Sequence, residues 1–134
     1  MSKVPALNGL FETSLYVADP DRSARFYESL CGFSEVDRSD RLIALAVADR
    51  QLLLLFKKGA SIKSPYPAHD GQGELHLAFA IPATDLAAWE TRLREHGVAV
   101  VERRQWPRGG ISLYFRDPDG HLIELATPGV WTVY

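Results

Sequence analysis

A pattern of strand and helix signals that occurs twice along the chain restricts its fold more than any other feature. In the first copy, an alternating segment at residues 11–17 is followed by Asp19 and Pro20, a capping residue and a first-turn proline. An amphipathic stretch then continues to Gly32, which is suited to ending a helix. Three strand-like segments follow, at residues 33–38, 42–47 and 52–56. The order of this copy is β-α-β-β-β.

The second copy repeats this order after residue 73. Residues 75–81 alternate again, and Thr84 is the predicted cap of a second helix that ends at Gly97. The apolar face of that helix consists of Leu86, Trp89 and Leu93. Three more strands are predicted near residues 98–103, 111–115 and 121–126. A repeat on this scale predicts an α+β fold built from two βαβββ modules.

The chain of 134 residues has the length of one domain, so we expect residues 1–134 to form a single unit. Module one covers residues 8–57 and module two covers residues 74–127. Residues 58–73 are rich in Gly, Pro, Ser and Lys and predict a linker or binding loop. Residues 128–134 form a C-terminal tail.

Charge and composition exclude several classes of function. A formal net charge of −2 offers no general attraction to nucleic acid, so no nucleic-acid partner is expected. One cysteine, Cys31, cannot form an internal disulfide, and an oxidising compartment is not required. The sequence begins without the apolar run of a signal peptide, and no stretch approaches the length of a membrane span. The expectation is therefore a cytoplasmic protein without a membrane partner.

Superposing the two copies shows where they differ. Glu12 falls on His76, and Leu54 takes the position that Glu124 fills. Side chains on a strand alternate between two faces, and the apolar alternate residues should meet the helices. Glu12, His76 and Glu124 are then expected on the face turned away from the helices.

Glu124 lies inside the apolar run "YFRDPDGHLIEL" and requires an explanation. A carboxylate enclosed by a sheet must pair with another group, hold a proton or bind a metal. Together with Glu12 and His76 it offers suitable ligands for a divalent cation. The alternatives are an interior role for His76 and a surface role for Glu12. The "DPDG" stretch before the strand is interpreted as a turn chosen for its backbone geometry.

Four residues before or within the Glu124 hairpin are candidates for substrate binding. Trp106, Arg108, Ser112 and Tyr114 provide an indole, a cation, a hydroxyl and a phenol near the predicted cation. Sheet packing for the two aromatic residues and a solvated turn for Arg108 are the alternatives. His69, in the loop at 58–73, faces either a substrate or solvent.

Three stretches of the sequence resemble a known superfamily: "LYVADPDRSARFYESLCGF", "HLAF" and "YFRDPDGHLIELATPG". The chain resembles the vicinal-oxygen-chelate superfamily along nearly its whole length. That superfamily includes glyoxalase I, fosfomycin-resistance metalloenzymes, extradiol dioxygenases, methylmalonyl-CoA epimerase and bleomycin-binding proteins. The resemblance implies paired βαβββ modules whose strands curl into an open, cup-shaped mixed sheet.

The resemblance also implies a ligand set and an assembly. The chain is similar to two-module members that act as homodimers with shared metal sites. The implied metal ligands are Glu12 of one chain and His76 with Glu124 of the other. Glu12 stands where many relatives have histidine. Glu12 and Glu124 are also the implied catalytic residues, since an exchanging carboxylate can act as a base.

The expected chemistry follows from the kind of ligands. One imidazole and two carboxylates form a harder set than the two histidines and one carboxylate of extradiol dioxygenases. Leu54 cannot supply the fourth ligand that glyoxalase I has at this position. We therefore expect a divalent ion (Mn, Ni, Zn, Fe or Mg) and lyase, isomerase or addition chemistry on a small oxygen-rich substrate. A metal-free binding protein of the bleomycin-resistance kind is the alternative, and an extradiol dioxygenase is a weaker one.

Overall fold

A computed structural model describes residues 3–63 and 65–134, and within these ranges the chain forms eight strands and two α-helices. Module one contains β1 (Glu12–Val17), α1 (Pro20–Cys31), β2 (Ser34–Arg38), β3 (Leu42–Ala48) and β4 (Gln51–Lys57). Module two contains β5 (His76–Ala80), α2 (Leu86–Glu95), β6 (Glu102–Gln105), β7 (Ile111–Arg116) and β8 (Leu122–Ala126). The predicted α+β fold with two βαβββ modules is confirmed. In the described ranges, neither helix is both long and apolar enough to cross a membrane.

Each module forms its own mixed sheet, and the two sheets have the same design. The strand orders are β1-β4-β3-β2 and β5-β8-β7-β6. In each sheet the first strand is parallel to the last, and the remaining neighbours are antiparallel. Open four-stranded sheets of this kind have one face that packs against the helices and one face turned away from them. We call the faces turned away from the helices the inner face of module one and the inner face of module two.

Local sequence signals explain the helix ends of module one. The Asp19 side chain accepts a hydrogen bond from the Arg22 backbone N–H, and Pro20 begins α1 as predicted. Gly32 ends the helix in the left-handed conformation, with φ of 73°, and its N–H bonds to the Glu28 carbonyl. A side chain other than glycine would be strained at that angle.

Two predicted boundaries in module two are wrong. Thr84 does not cap α2, because a short 3₁₀ helix at Ala83–Asp85 precedes it and Asp85 occupies the capping position. Strand β6 begins at Glu102 rather than near residue 98. Pairing with β7 decides where this strand begins. The Val101 N–H bonds to the Tyr114 carbonyl, but the regular pairing of β6 with β7 starts at Glu102.

A single core joins the two modules on the side of the helices. It includes buried side chains from β1, α1, β3 and β4 of module one and from α2, β7 and β8 of module two. The turn before β8 strengthens the contact. Asp117 accepts a hydrogen bond from the buried Tyr27 hydroxyl at 2.7 Å, and Asp119 accepts one from the Ser23 hydroxyl at 3.1 Å. His121 is fully buried, with one ring nitrogen 2.9 Å from the Tyr16 carbonyl. The two modules are therefore fixed relative to each other within one chain.

Candidate metal and substrate site

His76 and Glu124 meet on the inner face of module two. In the parallel pairing of β5 with β8, His76 lies opposite Leu122 and Ala78 lies opposite Glu124. His76 Nε2 is 3.2 Å from Glu124 Oε1. The His76 side chain is 49% exposed, whereas the Glu124 side chain is 8% exposed. The pair therefore joins a buried carboxylate to an imidazole that solvent or a ligand can reach.

The other ring nitrogen of His76 determines what Nε2 can do. Nδ1 lies 2.8 Å from the Leu122 carbonyl oxygen. A carbonyl only accepts hydrogen bonds, so Nδ1 must carry the proton and donate it. In neutral imidazole, Nε2 then presents a lone pair toward a carboxylate oxygen, which is itself an acceptor. A cation bound by both atoms, or a second proton on the ring, would relieve the repulsion between these two acceptors.

Ser112 and Trp106 hold the other oxygen of Glu124. The Ser112 hydroxyl donates a short hydrogen bond to Glu124 Oε2, and the Trp106 indole N–H donates to Ser112 Oγ at 2.9 Å. Ser112 is fully buried and Trp106 is half-buried. The Arg104 guanidinium lies over the Trp106 ring, 4.1 Å from its centroid. This chain of contacts fixes the carboxylate and leaves Oε1 for His76 or a bound ion.

Tyr114 lies beside this pair, and Arg108 does not. Tyr114 is opposite Glu124 in the pairing of β7 with β8, and its ring stacks on His76 at 6.3 Å between centroids. Burial raises the pKa of the Tyr114 hydroxyl, and the negative charge of Glu124 raises it further. Arg108 is exposed in the turn between β6 and β7. Among the four predicted substrate residues, the structure brings Trp106, Ser112 and Tyr114 to Glu124.

Glu12 occupies the equivalent position in module one. It lies opposite Leu52 in the pairing of β1 with β4, as His76 lies opposite Leu122. It is exposed and lines a cavity of about 290 Å³ with residues of β5 such as Ala78. In residues 3–63 and 65–134 of a single chain, no three His, Cys, Asp or Glu side chains meet in a group that could hold a metal. Of the three candidate ligands, His76 and Glu124 therefore converge within one chain, and Glu12 lies apart from them.

The inner face of module one has a different composition. Leu54, which lies opposite Ser14, packs with Ala44 and Phe56 in a small apolar cluster. Tyr16 borders this cluster, and its hydroxyl is 2.7 Å from Nδ1 of His69. Sequence reasoning left His69 between substrate and solvent, because nothing local indicates where a loop residue lies. The position of His69 is set by its contact with Tyr16, which lies 53 residues earlier in the chain.

Comparison with known proteins agrees with this fold. A family profile described as "Glyoxalase/Bleomycin resistance protein/Dioxygenase superfamily" matches residues 9–125. The chain is similar to "Metallothiol transferase FosB" of Shouchella clausii, with 29% identity over 90% of this chain and 81% of the relative. It is also similar to the protein of the same name from Bacillus licheniformis, with 33% identity over 86% of this chain and 72% of the relative.

A solved structure shows the same arrangement of elements. The crystal structure named lactoylglutathione lyase from Agrobacterium tumefaciens superposes with a TM-score of 0.88 and 29% identity. The superposition covers 96% of this chain and 99% of that chain. The arrangement of both modules within one chain is thus shared with an experimentally determined structure.

Proposed function

We propose that this chain, which belongs to the glyoxalase/bleomycin resistance protein/dioxygenase superfamily, is an enzyme that uses a divalent ion to act on a small oxygen-rich substrate. Lyase, isomerase or addition chemistry is favoured. The similarity to proteins named metallothiol transferase supports addition of a thiol as one form of that chemistry. A single cysteine and no disulfide are consistent with a cytoplasmic enzyme.

The geometry of His76 and Glu124 carries the proposal. Nδ1 of His76 donates to the Leu122 carbonyl, so Nε2 carries the lone pair of the neutral ring, and it lies 3.2 Å from Glu124 Oε1. Metal-binding histidines commonly have this arrangement, in which a carbonyl fixes the tautomer and the other nitrogen faces the ion. The imidazole and carboxylate donors suit Mn, Ni, Zn, Fe or Mg without separating these ions.

Glu12 of the partner subunit is the proposed third ligand. Glu12 has the same strand position in module one as His76 has in module two, and it is exposed on its own chain. A homodimer that places the inner face of module one against the inner face of the partner's module two would bring the two half-sites together. The sites of such a dimer are shared between chains.

The residues around Glu124 have distinct proposed roles. A bound ion would supply Lewis-acid stabilisation of negative charge on the substrate oxygens. Ser112 and Trp106 orient the carboxylate of Glu124 through the hydrogen bonds described above. Tyr114 provides a phenol that is protonated at neutral pH, and the raised pKa of its hydroxyl keeps the proton in place at higher pH, so it can donate to a substrate oxygen. Trp106 contributes an aromatic edge. A substrate-binding role for Arg108, which is exposed in the turn between β6 and β7, stays a prediction. Glu12 and Glu124 are the candidate bases.

A metal-free binding protein is the second candidate, and the same pair of residues supports it. A proton on His76 Nε2 would place a positive charge 3.2 Å from Glu124 Oε1, so an ion pair within the chain would take the place of a bound metal. Tyr114 and Trp106 would then form an aromatic wall beside an acidic group, suited to a cationic aromatic compound.

Mn²⁺ titration separates the two candidates. We expect the purified protein to bind about one Mn²⁺ per chain, and His76→Ala, Glu124→Gln and Glu12→Gln each to weaken binding more than a hundredfold, beyond the 10–100-fold typical of indirect partners. His96→Ala and Glu95→Gln are matched controls, because both residues are exposed at the end of α2. Mn²⁺ binding that survives both His76→Ala and Glu124→Gln would overturn the proposal. Binding of bleomycin that is insensitive to a chelator would favour the second candidate.

Mixing two variants tests whether the site is shared. Chains with Glu12→Gln and chains with Glu124→Gln should each fail to bind Mn²⁺. If Glu12 acts on the partner's site, each mixed dimer keeps one intact site and binding partly returns after the chains are exchanged. If Glu12 acts within its own chain, every site in the mixture carries a defect and no binding returns.

A further inference from the structure

The segment between the modules is folded over the inner face of module one. Asp70 accepts a hydrogen bond from the Gly59 N–H at 3.1 Å, which ties the two ends of this segment together. Gly71 lies so close to the Tyr16 ring that a Cβ atom would collide with it. The segment is therefore held against β1 and carries His69 to a fixed place.

Tyr16, Phe56 and His69 form a compact aromatic group, which we call the Tyr16–His69 site. The rings of Tyr16 and Phe56 stack at 5.9 Å, and His69 meets the Phe56 ring edge-on at 4.5 Å. The hydroxyl of Tyr16 is 2.7 Å from His69 Nδ1. Phe56 is buried, Tyr16 is half-buried and His69 is exposed. A polar pair thus lies on an apolar floor with one side open.

The hydrogen bond between Tyr16 and His69 determines what the pair offers to a ligand. A phenol is a better donor than acceptor, so in the neutral pair Tyr16 donates to Nδ1 and Nε2 carries the proton. In the imidazolium, Nε2 also carries a proton. Nε2 makes no hydrogen bond with any residue in 3–63 or 65–134. The site therefore presents an N–H donor at the edge of an apolar floor, where its hydrogen bond to a carboxylate would be charge-assisted.

The position of Tyr16 relative to Glu12 defines the ligand further. Both residues are on β1 and on the same face, four positions apart, so their Cα atoms are separated by roughly 13 Å. A group bound at Tyr16 and His69 cannot be an oxygen that also contacts the ion near Glu12. If one molecule reaches both places, this group belongs to its end remote from the ion.

We propose that the Tyr16–His69 site binds a carboxylate at the end of the substrate remote from the metal. This inference rests on the proposed function, because it assumes that the vicinal oxygens of the same molecule lie at the ion. The substrate class is then a linear acid with two adjacent oxygens at one end and a carboxylate at the other. Tyr16 is a positioning residue that orients His69, and His69 contacts the substrate directly.

A pair of probes isolates the remote carboxylate. Straight-chain 2-hydroxy dicarboxylic acids of six to ten carbons carry both ends, and 2-hydroxy monocarboxylic acids of the same lengths lack the remote one. With Mn²⁺-loaded protein in isothermal titration calorimetry, we expect at least one diacid to bind roughly tenfold tighter than its monoacid, as one charge-assisted hydrogen bond provides. His69→Gln and Tyr16→Phe should reduce that preference to about twofold or less. His96→Gln, an exposed histidine elsewhere, should preserve the preference.

The outcomes distinguish the inference from the function on which it rests. Mn²⁺-dependent binding of the monoacids with no gain from the second carboxylate at any length would overturn the inference alone. A gain that persists in both His69→Gln and Tyr16→Phe would also overturn it. Failure of all the acids to bind in an Mn²⁺-dependent manner would count against the proposed function itself. The ratio of the two affinities within each variant removes any general effect of the substitution on folding.

Discussion

Module one and module two place different side chains at matching positions of the same strand order. Leu54 lies opposite Ser14 in module one, and Glu124 lies opposite Ala78 in module two. Ala44 lies next to Leu54, whereas Tyr114 lies next to Glu124. One inner face is therefore an apolar cluster bordered by Tyr16 and the other is a hydrogen-bonded group around a buried carboxylate. The two copies of the repeat therefore share one backbone arrangement but differ in the chemical character of their inner faces.

The turns that precede the last strand differ in the same way. In module two, Asp117 and Asp119 accept hydrogen bonds from side chains of α1, so this turn attaches one module to the other. In module one, Asp49 and Arg50 occupy the corresponding turn, and their side chains are 99% and 90% exposed. Their ion pair, at 4.0 Å, contributes little in water. The turn before the last strand therefore contributes to the contacts between the modules in module two, whereas the side chains of the corresponding turn in module one lie in solvent.

Replacing Glu124 by leucine makes module two resemble module one and should have the largest effect. We expect Glu124→Leu to weaken Mn²⁺ binding by more than a hundredfold, since a direct ligand is worth more than the 10–100-fold of an indirect one. Stability should change by less than about 1.5 kcal/mol, because leucine fills a buried position and removes a buried charge. Calorimetric titration and urea unfolding measure the two quantities. Retained Mn²⁺ affinity would show that the difference between the inner faces has no bearing on metal binding.

The reverse substitution, Leu54→Glu in module one, should lower the stability of the protein by an amount that depends on pH. In metal-free protein, Leu54→Glu is expected to cost about 3 kcal/mol at neutral pH, from lost apolar burial and an enclosed carboxylate. Burial would raise the folded pKa of the new side chain above the unfolded value of about 4.3. The unfolded chain then loses its proton first as pH rises, so the variant should lose stability above about pH 4.

Leu54→Gln is the matched control for this experiment. It carries the same volume and polarity without a titrating group, so its free energy of unfolding, measured in urea, should differ from the wild-type value by the same amount at pH 4 and pH 7.5. A Leu54→Glu deficit that is independent of pH would mean that the inner face of module one accepts a charge, and the contrast between the modules would be weaker than the structure indicates.

The sequence predicted the repeat because alternation and helix punctuation are local signals. Gly32 and Asp19 act as expected for that reason, and the overlay of Leu54 on Glu124 follows from the shared strand register. The interpretation of Asp117 and Asp119 as turn residues was incomplete. Their partners Tyr27 and Ser23 are 90 and 96 residues away, and no periodicity reveals so distant a pairing.

The candidate site was predictable in part for the same reason. Strand alternation and the repeat predicted that His76 and Glu124 share one face of the sheet. In the structure, His76 Nε2 lies 3.2 Å from Glu124 Oε1. The placement of Glu12 in a shared site stays a prediction. The bond between Tyr16 and His69 could not be predicted, because His69 lies in a loop whose path depends on contacts such as that of Gly71 with Tyr16.

Removing the hydroxyl of Tyr27 tests the contribution of the module-two turn. Tyr27→Phe leaves the buried Asp117 carboxylate without one donor, and we expect a loss of about 2 kcal/mol in urea unfolding at neutral pH. Asp49→Asn, in the turn of module one, should change stability by no more than about 0.5 kcal/mol. Equal effects of the two substitutions would contradict the asymmetry between the turns.

Alkaline pH should reduce the stability that Tyr27 provides. Burial, followed by the negative charge of Asp117, raises the pKa of the Tyr27 hydroxyl well above 10.0 in the folded protein. Above about pH 10 the unfolded chain releases this proton while the folded chain retains it, so wild-type stability should fall as pH rises. The difference between wild type and Tyr27→Phe should therefore be smaller at pH 10.5 than at pH 8. An unchanged difference would contradict a buried, protonated Tyr27.

The smallest expected effect concerns the hydroxyl that fixes Glu124. Ser112→Ala removes the donor to Glu124 Oε2 and should weaken Mn²⁺ binding by roughly tenfold, the lower end for an indirect partner of a metal ligand. Ser112→Thr keeps a hydroxyl and should recover most of that affinity, whereas a purely structural role would respond to volume. Ser14→Ala, on the inner face of module one, is the matched control and should leave Mn²⁺ affinity unchanged. If Ser112→Ala binds Mn²⁺ as tightly as the wild type, the hydrogen bond from Ser112 does not prepare Glu124 for an ion, and the inner faces differ in the carboxylate alone.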